Sequence, residues 1–151
     1  QVKLIDFGMA TVSRNSLGSH WGKHSYKAPE IHTKGEYDAF RADAFSVGVV
    51  LCAVAAMQYP WQCTLPGKDC HFAVAERYGI RSFLSIMPVL VGPDAFQRAT
   101  GVFTCEFAQV LEGLLHPEPA ERLTLGEACY SAGAHPSVWT LPWLLQAAPR
   151  H

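Results

Sequence analysis

The stretch 43–57, DAFSVGVVLCAVAAM, constrains the fold more than any other, because from Ala44 onward it carries no charged residue. A helix apolar on every side has no face to offer water and belongs in the middle of a protein core. The run falls short of the roughly 18–20 residues that cross a bilayer, so it reads as a core helix and not a membrane span. Pro60-Trp61 is the expected stop. The rest of the chain must supply elements that pack around this rod.

Composition allows that. Hydrophobic residues make up 49% of the 151 and charged residues 17%, a balance that suits a packed interior. With 12 basic and 13 acidic residues, the net charge of -1 leaves no cationic excess for binding nucleic acid through its phosphates. The five cysteines are scattered, odd in number and never spaced C-x-x-C, which fits a reducing compartment; a cytoplasmic location is expected. The seven histidines are dispersed and suggest no zinc site. There is no signal-peptide pattern at the start. The chain opens at Gln1 on the apolar run Val2-Lys3-Leu4-Ile5, which reads as a truncation or a partial gene model.

Local patterns fill in the order of elements. Residues 2–5 predict a short strand ending at Asp6-Phe7-Gly8. Residues 9–28, rich in Ser, Gly, His and Lys, predict a long loop, and loops of that length are usually functional. A short helix is expected from Pro29. Residues 69–78 predict an amphipathic helix with Asp69 as N-cap and Gly79 as stop. Residues 80–104, broken by Pro88, Gly92, Pro93 and Gly101, read as irregular. Residues 106–115 are amphipathic, and Thr124-x-x-Glu127 has capping-box spacing for a helix over 124–134.

Five motifs then stand in order: Asp6-Phe7-Gly8; Gly22-x-x-x-Tyr26-x-Ala28-Pro29-Glu30; Asp43-x-Phe45-Ser46-x-Gly48; Glu118-Pro119-x-x-Arg122-x-Thr124; and His135-Pro136. Together they resemble the eukaryotic protein kinase family, from the last strand before the activation segment to the end of the helical lobe. The resemblance implies a mainly α fold: the helical C-lobe of a kinase over residues 1–139, with a short N-terminal β-strand and an activation loop. Residues 140–151 would be a C-terminal tail.

The resemblance also implies chemistry. Asp6, with Phe7 and Gly8, would belong to the ATP site, and its carboxylate would ligate Mg²⁺ bridging the ATP phosphates. Glu30 and Arg122 would form a buried ion pair tying the activation segment to the helical lobe, a task that suits a bidentate guanidinium. Asp43 would accept backbone N–H groups of the catalytic loop, although a plain N-cap uses the same acceptor chemistry. Ser19, Lys23, Tyr26, Ala28, Pro29 and Glu30 would belong to the activation segment. Ser19, or Thr11, Ser13 or Ser16, would take an activating phosphate from an upstream kinase.

Departures from the pattern matter. Lys23 stands where serine/threonine kinases carry threonine, which keeps open a pseudokinase that binds partners without phosphoryl transfer. Phe45 and Glu118 replace the usual Trp and Asp. The chain holds no G-x-G-x-x-G, V-A-I-K or H-R-D-x-x-x-x-N motif, so the catalytic base is expected upstream and these residues alone are expected to be inactive. The expected whole is an ATP- and Mg²⁺-dependent kinase acting on Ser or Thr hydroxyls of proteins, with no nucleic-acid or membrane partner.

Overall fold

The central helix begins before its apolar run does. In the computed structural model, which describes residues 3, 5–18, 22–33, 35–133 and 135–147, helix α1 spans Ala39–Ala56. Its N-cap is Asp38, whose carboxylate accepts the Phe40 amide at 3.1 Å. Capping needs a residue whose own backbone is still extended, as that of Asp38 is. Asp43 lies inside the helix, so the N-cap reading of it is corrected. At the other end Met57 turns left-handed, with φ 56°, and stops the helix before Pro60 is reached.

The earlier start brings α1 to 18 residues, long and apolar enough to cross a membrane by length and composition. Its burial is uneven. Arg41, Ala42, Ala44, Phe45, Val49, Cys52 and Ala56 are buried, whereas Val50, Val54 and Met57 are exposed, the last two at 70% and 76%. Among the described residues, α1 is covered on one side only, not enclosed all round.

The covered side packs on α5, Cys105–Leu114, an amphipathic helix capped by the Thr104 hydroxyl as its periodicity predicts. Gly48 permits the approach: a Cβ there would come within 2.9 Å of both Leu114 Cβ and Leu115 Cδ2. Trp61 fills the centre between Phe45, Phe72 and Phe83, with ring centroids 5.8, 5.2 and 5.4 Å away. Helix α2, Cys70–Tyr78, runs as expected, its Asp69 cap accepting the His71 and Phe72 amides and Gly79 closing it at φ 86°.

Residues 80–104 are ordered into elements where irregular chain was expected. Helix α3, Ile80–Ile86, is followed by the antiparallel hairpin β3, Pro88–Gly92, and β4, Ala95–Arg98, then by α4, Ala99–Val102. The prolines that suggested irregular chain sit at the strand's first residue and in the turn, where a missing N–H costs no ladder bond. Asp94 carries the turn at φ 79°.

A strand forms within residues 9–28, where a loop was expected: β1, Asn15–Leu17, pairs antiparallel with β2, Glu36–Asp38. The expected strand over 2–5 is not formed by Lys3 or Ile5, and Val2 and Leu4 lie outside the described residues. A strand needs a neighbour for its backbone groups, and among the described residues none runs alongside. The Thr124–Glu127 capping box is absent too. Thr124 bridges to Ser137, its amide bonding the Pro136 carbonyl, and the helical turn that follows, Ala128–Gly133, is 3-10. At the end, α6, Pro142–Ala147, follows Leu141, which packs with Ala44, Leu114 and Leu123; Trp143 and Leu144 lean on the same cluster. About half of the described chain is helical, with two short antiparallel sheets.

Candidate functional site

Residues 25–32 are held by side chains reaching across from elsewhere, which is why so polar a segment is buried. Ser25 donates to the Gln62 carbonyl at 3.1 Å, and Ser46 on α1 donates to the Tyr26 carbonyl at 2.9 Å. Thr64 donates its one hydroxyl hydrogen to the Lys27 carbonyl at 2.7 Å, so His32 Nε2, 2.9 Å from the Thr64 Oγ1, donates to that hydroxyl oxygen. Burial, then the nearby Lys27 and His24, hold the His32 imidazole below its ordinary pKa. Ala28 is fully buried, and Pro29 opens the 3-10 turn Pro29–His32 as expected.

That turn aims Glu30 at Arg122. The guanidinium meets both carboxylate oxygens, Nη1 to Oε1 at 2.6 Å and Nη2 to Oε2 at 3.0 Å. Its remaining hydrogens go to the carbonyls of Arg41 (2.7 Å), His116 (2.9 Å) and Pro117 (3.2 Å), and its plane lies 4.9 Å from the Phe45 ring centroid. The Arg122 side chain has no exposed surface and that of Glu30 keeps 11%. A desolvated charge pair is tolerable only when the leftover donors are satisfied, and here they are.

Beside this tie opens a cavity of about 660 Å³, lined by Gly8, Thr11, Ser16, Lys23, Tyr26, Lys27, Asp43 and Ser46 among others. Asp43 accepts no hydrogen bond among the described residues. Its side chain still reaches solvent, but the crowding walls, and more weakly Glu127, push its carboxyl above the usual range. Asp6 is in a left-handed conformation, φ 63°, ahead of the turn Phe7–Met9, with Phe7 exposed. Its carboxylate suits one ligand position of a hard cation. No group of three or more His, Cys, Asp or Glu among the described residues could complete a metal site. Ser19 lies outside the described residues.

Lys23 is placed by two tyrosines. Its ammonium stands 3.8 Å from the Tyr59 ring centroid, and the Tyr26 and Tyr59 hydroxyls are 3.0 Å apart. Lys23 and then Tyr26 hold the Tyr59 phenol below its usual pKa, while the bond to Tyr59 raises that of Tyr26.

A second polar centre escaped the sequence reading. Besides capping α1, Asp38 accepts the Tyr130 hydroxyl at 2.7 Å and pairs with Arg14 at 2.9 Å. The Tyr130 ring lies between Arg14, 4.7 Å from its centroid, and Arg41, at 5.5 Å. Arg41 also bonds the Pro119 carbonyl and, at 3.3 Å, His135 Nδ1. This centre joins β1, the head of α1 and the C-terminal segment. The available signal was Asp38 itself, an N-cap residue type directly before Ala39-Phe40.

Burial pushes the Asp38 carboxyl up, but Tyr130 and Arg14 outweigh it and leave the group below the usual carboxylate range. A depressed carboxyl contributes stability that is complete above its unfolded pKa and lost as pH falls through its folded one. Asp38→Asn keeps an N-cap acceptor and removes the charge. We expect it to cost about 1 kcal/mol at neutral pH, with wild type and variant converging as pH falls through the depressed Asp38 pKa. Asp43, whose carboxyl is raised, works in the opposite sense but is common to both proteins. Melting temperatures measured across the acid range check the convergence.

Comparison with known proteins agrees with the motif order. Residues 1–133 match the family model described as "Protein kinase domain". Serine/threonine-protein kinase HAL5 of Saccharomyces cerevisiae (strain YJM789) is 33% identical over 92 residues, 56% of this chain and 10% of that protein. CBL-interacting protein kinase 28 of Oryza sativa subsp. japonica is 25% identical over 136 residues, 87% of this chain and 27% of that protein. Sperm motility kinase 3A of Mus musculus is 28% identical over 132 residues, 82% of this chain and 26% of that protein. The chain belongs to the protein kinase family. It spans 10–27% of the length of these relatives.

Proposed function

We propose that the chain is the helical C-lobe portion of a serine/threonine kinase, which in its complete form transfers the ATP γ-phosphoryl to protein hydroxyls in the cytoplasm. The observation that supports this best is the bidentate pair between Glu30 and Arg122, 92 positions apart and packed on the central helix. It anchors residues 25–32, read as the end of the activation segment, to the body of the lobe. Asp6 is the residue that would face the nucleotide as a Mg²⁺ ligand; when bound, the metal would neutralise phosphate charge. Phosphorylation of the segment around Thr11, Ser13, Ser16 and Ser19 by another kinase would add local charge and order. The uncovered face of α1, around Val54, marks where further chain would pack in the complete enzyme.

The test is phosphoryl transfer from labelled ATP by the full-length polypeptide. We expect transfer to Ser or Thr of a protein substrate, its loss in Asp6→Asn, and none from the 151 residues alone. A specific observation favours a second reading: Lys23, at the usual threonine position, is engaged with Tyr59. A full-length protein that binds partners and transfers no phosphate would establish the pseudokinase.

A further inference from the structure

Strand β1 has little apolar reason to stay where it is. It is three residues long; Asn15 and Leu17 are exposed, Ser16 is half-buried, and Val12 ahead of it is fully exposed. A two-stranded pair of that size is marginal in water. Arg14 supplies the missing hold. Its carbonyl accepts the Ala39 amide at 2.7 Å, carrying the β1–β2 ladder one bond further, into the first residue of α1. Its guanidinium meets Asp38 Oδ2 through both Nε and Nη2, at 2.9 Å each, and lies 4.7 Å from the Tyr130 ring centroid. The seat exists before Arg14 enters it. Tyr130 is 3% exposed, donates to the same Oδ2 and is backed by the His135 ring, 5.5 Å away. Asp38 Oδ1 is held by the Phe40 amide.

On the reading proposed above, on which this inference rests, β1 lies within the activation segment. Such segments are ordered in many kinases by a phosphate that pairs with arginines. Here an arginine of the segment itself pairs with a carboxylate already built into the fold. We infer that Arg14 is a latch that seats β1 without phosphorylation, closing the segment onto the head of α1 and, through Tyr130, onto the C-terminal segment. A phosphate on Thr11, Ser13, Ser16 or Ser19 then adds to this order and does not create it. The Arg14 side chain keeps 46% of its surface, so the ion pair alone is weak. Ion pair and ring contact together shift the opening of β1 by roughly tenfold.

The experiment is amide hydrogen exchange, read by mass spectrometry, on the full-length polypeptide after phosphatase treatment. The β1 amides should stay protected in the wild type, exchange roughly tenfold faster in Arg14→Gln, and remain close to wild type in Arg14→Lys, which keeps the charge at Asp38 and Tyr130. Amides of α2 and α5 should exchange at the same rate in all three proteins, which separates a local latch from a general loss of stability. Phosphoryl transfer by the same samples should follow protection: kept in the wild type and reduced in Arg14→Gln. Free exchange of β1 in the dephosphorylated wild type overturns the inference. So do equal rates in wild type and Arg14→Gln, acceleration of α2 and α5 along with β1, or transfer that phosphatase treatment abolishes. If no sample transfers phosphate before or after treatment, the kinase reading fails by itself, and the exchange rates still decide whether Arg14 holds β1.

Discussion

Arg122→Leu is expected to destabilise the protein by about 3–5 kcal/mol, enough to consume much of the stability of an ordinary domain. The loss has three sources. The Glu30 carboxylate is left in a site where only 11% of its side chain meets water. The carbonyls of Arg41, His116 and Pro117 lose the donor they share. Phe45 loses the flat cation against its ring. Leucine refills part of the volume and none of the hydrogen bonds. Arg122→Lys should fall nearly as far, because one ammonium cannot span both Glu30 oxygens and three carbonyls. Urea denaturation read by tryptophan fluorescence checks this, and a midpoint within experimental error of wild type in either variant would contradict it.

Trp61→Ala is expected to have the other large effect, again about 3–5 kcal/mol. Trp61 is 1% exposed and its ring is the common neighbour of Phe45, Phe72 and Phe83, so truncation opens a cavity joining α1, α2 and α3. Trp61→Phe is the informative control. The indole Nε1 is buried without a hydrogen-bond partner among the described residues, so phenylalanine removes an unsatisfied donor as well as some volume. We expect it to lie within about 1.5 kcal/mol of wild type. Equal losses in the two variants would contradict this, because a ring retained in the site would then contribute nothing to packing.

How much of this was legible in the sequence depended on the range of the interaction. Asp69, α2 and Gly79 are a local cap, periodic segment and stop, and the sequence places them correctly. The Glu30–Arg122 pair spans most of the chain; no local rule joins those two residues, and only the ordered motifs suggested it. Asp38 is not the obvious cap because two carboxylates stand five positions apart and the uncharged run starts directly after Asp43. Its partners Arg14 and Tyr130 come from distant segments, so nothing nearby in sequence signals the cluster. The β3–β4 hairpin was missed because its strands are too short to establish alternation, and Pro88 and Pro93 read as breakers when one starts a strand and the other sits in its turn. The seat of Lys23 on Tyr59 depends on how residues 22–26 fold back across the end of α1, which no spacing reveals.

The most direct test of the whole account is a double-mutant cycle on Glu30→Gln and Arg122→Leu, with stabilities from urea denaturation. If the two side chains close on each other beneath α1, the double variant should be about 2 kcal/mol more stable than the sum of the single losses requires. Strict additivity would mean that the pair does not exist in solution, and the anchoring of residues 25–32 to the rest of the fold would go with it.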